Sequence, residues 1–132
     1  MTTYLTVAEV VVIHDEIMVR TGYPPEGLRD EGLLESALMR AQAAAYYEGA
    51  DLIRQAVLMA IGISQNQPFV DGNKRAVFGV LDVFLRINGQ MFNGDALELA
   101  RQFEQLAEPD HDRSAATDRL AAWLNDRVQE LQ

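Results

Sequence analysis

Asn66-Gln67-Pro68-Phe69-Val70-Asp71-Gly72-Asn73-Lys74-Arg75 separates two apolar segments, and its reading decides the rest. On its C-terminal side Val77, Val80, Leu81, Phe84 and Leu85 recur at helical spacing, so Lys74 to Asn88 is expected to be a helix that Asn88-Gly89 ends. Pro68 closes the helix before it. A Gly-containing loop that opens a helix presents unpaired N–H groups at the positive end of the helix dipole, an arrangement suited to phosphate. Gly72 would allow close backbone approach, Lys74 and Arg75 would add cations, Asp71 offers a hard oxygen for Mg²⁺, and Phe69 would anchor the loop inward. Two readings are open on these residues alone, because Asp-Gly-Asn is also an ordinary turn and a Lys-Arg pair is often merely solvated. One detail counts against the second. A first helical turn favours acidic side chains, so the chain's only adjacent basic pair opposes the dipole there unless an anion is bound.

Working outward, nearly all of the chain reads as helix. Thr6 and Glu9 have capping-box spacing ahead of a stripe formed by Val7, Val10, Val11, His14, Ile17 and Met18. Thr21-Gly22 ends that stripe, and Tyr23 to Gly27 is a connector. A second helix starts after Asp30 with Leu33, Leu34, Ala37, Leu38 and Ala41 on one face, fraying at Tyr46-Tyr47-Glu48-Gly49. Asp51 caps a third, with Ile53, Ala56, Val57, Ala60 and Ile61 inward and Gly62 marking a close helix–helix approach. Residues 90–94 are expected to be briefly extended. Asp95 caps a fifth helix to about Glu108, and Ser114 caps a sixth containing Leu120, Trp123, Leu124 and Val128. The expectation is one all-α domain over residues 1–132, a bundle of about six helices.

Composition sets the outer limits. With 132 residues, 48% hydrophobic and 23% charged, the chain is a globular one of single-domain size. Its net charge of −9 argues against general nucleic-acid binding, which needs cation clusters. Apolar runs too short to span a bilayer argue against a membrane protein. The absence of cysteine removes thiolate chemistry and disulfides, and two histidines are too few for a conventional zinc site. A reduced cytoplasmic location is the default expectation.

The decisive segment resembles the Fic/Doc signature, H-x-F-x-D/E-G-N-G/K-R, most closely in its Doc (death-on-curing) branch. Tyr4-Leu5-Thr6 leading to Ile13-His14, the run Gly27 to Ala37, and Phe84-Leu85 to Asn88-Gly89 are similar to Doc-type blocks as well. The resemblance implies the small all-α Fic/Doc fold, with the motif joining two central helices. It implies that Asp71 holds the metal, that Gly72, Asn73 and Lys74 form a backbone anion hole for nucleotide, that Arg75 binds phosphate and that Phe69 is the buried anchor. Lys74 and Phe78 stand where AMP-transferring members carry Gly and a second Arg, so the implied chemistry is Doc-like: ATP and Mg²⁺ used to phosphorylate a protein hydroxyl, a threonine of translation factor Tu in the family. The implied partner is an antitoxin that lays a helix in a surface groove.

The pattern breaks at position 67, where the family's catalytic His is Gln67. An amide has no basic lone pair near neutral pH and does not take a hydroxyl proton. Loss of a general base costs about 10²- to 10⁴-fold in rate, roughly 3–5.5 kcal/mol of barrier. Phosphoryl transfer is often loose, so positioning and charge stabilisation alone leave room for residual activity. His14, on an apolar stripe, reads best as a satisfied core or groove histidine; His111 reads as a surface residue; Glu35 is a possible approach to the site from the second helix. Tyr46-Tyr47 is either an interface pair or core. Three functions compete: a Doc-type phosphotransferase, active or weakened, a pseudoenzyme keeping nucleotide or antitoxin binding, and a protein AMP-transferase.

Overall fold

The computed structural model describes residues 1–105 and 113–131. The chain runs α1 (Val7–Arg20), α2 (Glu31–Glu48), α3 (Leu52–Asn66), α4 (Asn73–Ile87), β1 (Gln90–Phe92), α5 (Ala96–Glu104), α6 (Arg113–Asn125) and β2 (Val128–Glu130). This is the mostly helical architecture that the apolar periodicities predict.

Local chemistry starts the helices where expected. Thr6 and Glu9 form a reciprocal capping box on α1. The carboxylates of Asp30, Asp51 and Asp95 accept from first-turn amides of α2, α3 and α5. Helix α3 sits at the centre, against α2 on one flank and α4 and α6 on the others, while α1 packs on α4. Small residues set these distances. A Cβ at Gly62 would lie 2.9 Å from the Ala37 Cα, and one at Gly79 would meet the ends of Ile13 and Ile17. The core gathers Val10 and Met18 of α1, Leu34 of α2, Ile63 of α3 and the Val80–Leu85 face of α4. Asn88 ends α4 and pins the N-terminus, exchanging hydrogen bonds of 2.7 and 2.9 Å with the Thr3 backbone.

The C-terminal third departs from the sequence reading. Helix α5 is described to Glu104, and the expected end near Glu108 lies outside the described residues. Helix α6 begins at Arg113, so Ser114 lies inside the first turn instead of capping it. Val128 belongs to a strand and not to α6: the chain turns at Asp126-Arg127, and β2 pairs antiparallel with β1, Phe92 opposite Val128. Tyr46 and Tyr47 are exposed, in edge-to-face contact at 4.8 Å, which removes the core alternative for this pair. His111 lies outside the described residues. Among the described residues, no helix is long and apolar enough to cross a membrane.

Candidate functional site

The loop between α3 and α4 is shaped by its own residues together with groups from α1, from α4 and from the connector between α1 and α2. Gln67 ends α3 in the left-handed region (φ 47°, ψ 61°), the one non-glycine residue with positive φ among those described. Arg29 stabilises that ending: its Nη2 donates to the Asn66 carbonyl at 2.8 Å and its Nε to the Gln67 carbonyl at 3.0 Å. A cation that donates to the last carbonyls of a helix answers both their unmet hydrogen bonds and the negative end of the dipole. The Gly27–Asp30 backbone is laced to the loop as well. The Arg29 and Asp30 amides donate to the Pro68 carbonyl, the Val70 amide donates to the Gly27 carbonyl, and Leu28 bridges Phe69.

Phe69 is 1% exposed and lies flat on the His14 ring, with centroids 3.8 Å apart and planes 5° from parallel. Asn73 then closes the loop with its side chain, accepting from the Phe69 amide and donating to the Phe69 carbonyl, both at 3.0 Å. Gly72 is required twice over: its φ is +79°, and a Cβ there would lie 2.4 Å from Met18 Sδ and 3.0 Å from His14 Nε2.

His14 is fully buried, with Nε2 2.7 Å from the Asp71 carbonyl and Nδ1 3.0 Å from Asp15 Oδ1. Because a carbonyl only accepts, Nε2 carries its hydrogen and has no lone pair for a substrate. His14 is therefore a buried histidine that holds the loop through Nε2. Glu35 is exposed on α2 and lines neither of the two cavities beside the loop.

At the mouth of α4 the first intrahelical bond runs from the Ala76 amide to the Gly72 carbonyl at 2.9 Å, and no side chain caps the helix. The amides of Asn73, Lys74 and Arg75 are thus left without an intrahelical acceptor. The Gly72 amide differs from the expectation, since it donates to Asp71 Oδ1 at 2.8 Å. Adjacent residues in a turn permit that short-range bond, which spends one expected anion donor on the loop itself. The open donors begin one residue later.

Lys74 stands between two cavities. The smaller, about 190 Å³, is bounded by Ser64, Gln67, Asn73 and Val77 on one side and by Leu99 and Phe103 of α5 on the other. The larger, about 620 Å³, runs between α1 and α4 with an apolar floor of Ile13, Ile17, Phe78 and Val83 and a rim carrying Glu16, Arg20, Arg75 and Asp82. Lys74 Nζ reaches Glu104 at 3.4 Å, a pair too exposed to hold much energy. Arg75 places its guanidinium 4.2 Å from the centroid of the Tyr23 ring. The structure therefore brings Gln67, Asn73 and Lys74 to one cavity and Lys74 and Arg75 to the other, and leaves Asp71 exposed outside both. Sequence reasoning missed Arg29, Tyr23 and the α5 wall. Arg29 stood inside the Gly27–Ala37 block, but nothing local signalled its contact with a loop 37 and 38 residues away.

A model of the Fic/DOC family matches residues 4–85, well over half of the chain and all of α1 to α3 with most of α4. The chain belongs to the Fic/Doc family. A curated relative, Toxin Doc of Mycolicibacterium smegmatis (strain ATCC 700084 / mc(2)155), is 38% identical over 72 residues, covering 52% of this chain and 54% of the relative. The match thus spans about half the length of that relative, and it represents the Doc branch of the Fic/Doc family. The family-matched span holds the loop, its His14 and Arg29 supports and both flanks of the α4 mouth; the α5 wall lies beyond it.

Proposed function

We propose that the chain is a Doc-type toxin-fold protein whose α4 mouth receives the phosphates of ATP, and whose transfer of a phosphoryl group to a protein hydroxyl is weakened at Gln67. The observation that carries this reading is the uncapped start of α4, with open amides at Asn73 to Arg75 and two cationic side chains beside them. Backbone donors that are fixed before a ligand arrives stabilise charge at little reorganisation cost. Lys74 would neutralise phosphate from the side of the smaller cavity and Arg75 from the larger. Asp71, exposed at the loop apex with Oδ1 on the Gly72 amide, is the carboxylate suited to Mg²⁺, an ion commonly held by one or two carboxylates with phosphates and water. Bound Mg²⁺ would offset phosphate charge.

Gln67 is exposed and lines the smaller cavity, where it is placed to orient a hydroxyl by hydrogen bonding but not to accept its proton. Neither His14 nor Glu35 replaces the base, since His14 is committed to the Asp71 carbonyl and Glu35 lines neither cavity; among the described residues the carboxylate that shares the smaller cavity with Gln67 is Glu104, which is paired with Lys74. The same observation favours a second reading, a pseudoenzyme that retains nucleotide or antitoxin binding. The groove between α1 and α4, apolar in its floor and mixed in charge at its rim, suits the amphipathic helix of an antitoxin. AMP transfer has weaker support, since Phe78, half-buried between the two cavities, supplies no second cation.

The test compares the protein with Gln67→His for phosphate transfer from γ-labelled ATP to translation factor Tu, with α-labelled ATP run in parallel. The expected result is a rate at least about 10²-fold higher in Gln67→His, with label from the γ position alone. Transfer seen only in Gln67→His, with none from the unaltered chain, would leave the pseudoenzyme reading, and equal transfer by both would show that position 67 is dispensable. Label from the α position would replace phosphotransfer by AMP transfer.

A further inference from the structure

Tyr23 has no role in the core: it is 46% exposed and follows the end of α1. Its position is nevertheless fixed. The Tyr23 amide donates to the Met18 carbonyl at 2.8 Å and the Gly22 amide to the Val19 carbonyl at 3.1 Å, with Gly22 at φ +86°. These are the two bonds of a Schellman ending, in which a glycine in the left-handed region turns the chain back across the last helical turn. The turn sets the Tyr23 ring against the guanidinium of Arg75, 4.2 Å from the ring centroid, across the groove from α1 to α4. Arg75 has no carboxylate partner among the described residues, so the ring is the contact that orients it.

From this geometry we infer that Tyr23 is a positioning residue for the anion site. The ring takes up none of the guanidinium's N–H donors in a conventional hydrogen bond, so the five donors, which all lie in one plane, are left for an anion. A long side chain that is already oriented loses less rotamer freedom when it binds. The inference rests on the reading of the α4 mouth as a phosphate site and deepens it by joining the end of α1 to that site.

The experiment titrates inorganic tripolyphosphate into the full chain by calorimetry and follows the Arg75 Nε–H resonance by NMR. A cation–π contact worth about 0.5–1 kcal/mol predicts about two- to fivefold weaker binding in Tyr23→Leu. Tyr23→Phe, which keeps the ring, is expected to bind as the unaltered chain does. On an Arg75→Ala background, Tyr23→Leu is expected to have no further effect. The ring-current shift of the Arg75 resonance should vanish in Tyr23→Leu and persist in Tyr23→Phe. Undiminished binding in Tyr23→Leu, or an equal loss with and without Arg75, would overturn the positioning role while leaving the phosphate site standing. A chain that binds no tripolyphosphate would instead remove the site, and this role with it.

Discussion

Gly72→Ala tests the geometry of the loop most directly, because two separate costs are visible at that position. The first is conformational. At φ +79° an L-residue carries a Cβ too close to its own carbonyl, which costs about 1–2 kcal/mol. The second is steric. The new methyl would lie 2.4 Å from Met18 Sδ, within the buried seam between α1 and the loop, and 3.0 Å from His14 Nε2. Met18 is fully buried, so its thioether has little room to retreat; overpacking of this kind costs about 1–3 kcal/mol. Together they predict a loss of about 2–5 kcal/mol. In urea unfolding, with a slope of about 2 kcal/mol per M, the midpoint would fall by roughly 1–2.5 M. The thioether's share is separable: in a Met18→Val background, which lacks a δ atom, Gly72→Ala should cost less than in the unaltered chain, keeping its conformational share of about 1–2 kcal/mol and the 3.0 Å approach to His14 Nε2. A loss below about 0.5 kcal/mol in the single variant, or an undiminished loss in the Met18→Val background, would refute the account of why glycine is needed.

Three further outcomes follow from contacts at the ends of helices. Arg29→Ala should destabilise by about 1–2 kcal/mol in the same assay, and Arg29→Lys should recover less than half of it, because one ammonium does not reproduce a fork onto two carbonyls. Gln67→Gly should stabilise by about 0.5–1 kcal/mol, the relief of left-handed strain exceeding the entropy of the added glycine; a destabilised variant would mean that the Gln67 side chain holds the loop. Glu9 carries a pKa below its ordinary value of 4.5, chiefly because its carboxylate accepts from the Thr6 amide and then from the Thr6 hydroxyl. A depressed carboxylate pKa means the unfolded chain binds the proton more readily, so the contribution is fully present above pH 4.5 and is lost as pH falls through the lowered value. The stability gap between the unaltered chain and Glu9→Gln should therefore close on acidification, and a gap independent of pH would refute this origin.

What could be read in the sequence was what local chemistry decides. Asp30 and Asp51 announce helix starts because a carboxylate can reach amides two or three residues on, and Gly49 ends α2 because the chain must turn left-handed there. The inward faces of α3 and α4 follow from apolar spacing alone. Strand β2 was hidden because three residues carry no period of their own; Val128 is extended only because Phe92 lies opposite it. At the candidate site the loop, its buried Phe69 and its open helix start were all legible. The bond that Asp71 makes to the Gly72 amide was not, since it depends on a turn geometry that several sequences share. Arg29 and Tyr23 were equally hidden, because each acts on a segment dozens of residues away.

These placements separate two sets of residues that the motif writes as one string. Phe69 and the Asn73 side chain are spent on shape, and they act with His14 and Arg29 from outside the motif. The Asn73–Arg75 amides have no capping side chain, and beside them Lys74 and Arg75 touch Glu104 and the Tyr23 ring rather than the loop. Gln67 belongs to neither set through its side chain, because its backbone carbonyl, and not its amide group, takes the Arg29 bond. Any residue that tolerates the left-handed region at position 67 would therefore leave the loop folded. Histidine is among the side chains enriched there, which is why Gln67→His should restore a base without rebuilding the site. On the proposed reading, a change of side chain at position 67 and a change at the α4 mouth are therefore separable on this scaffold, because the first leaves the backbone that shapes the second untouched.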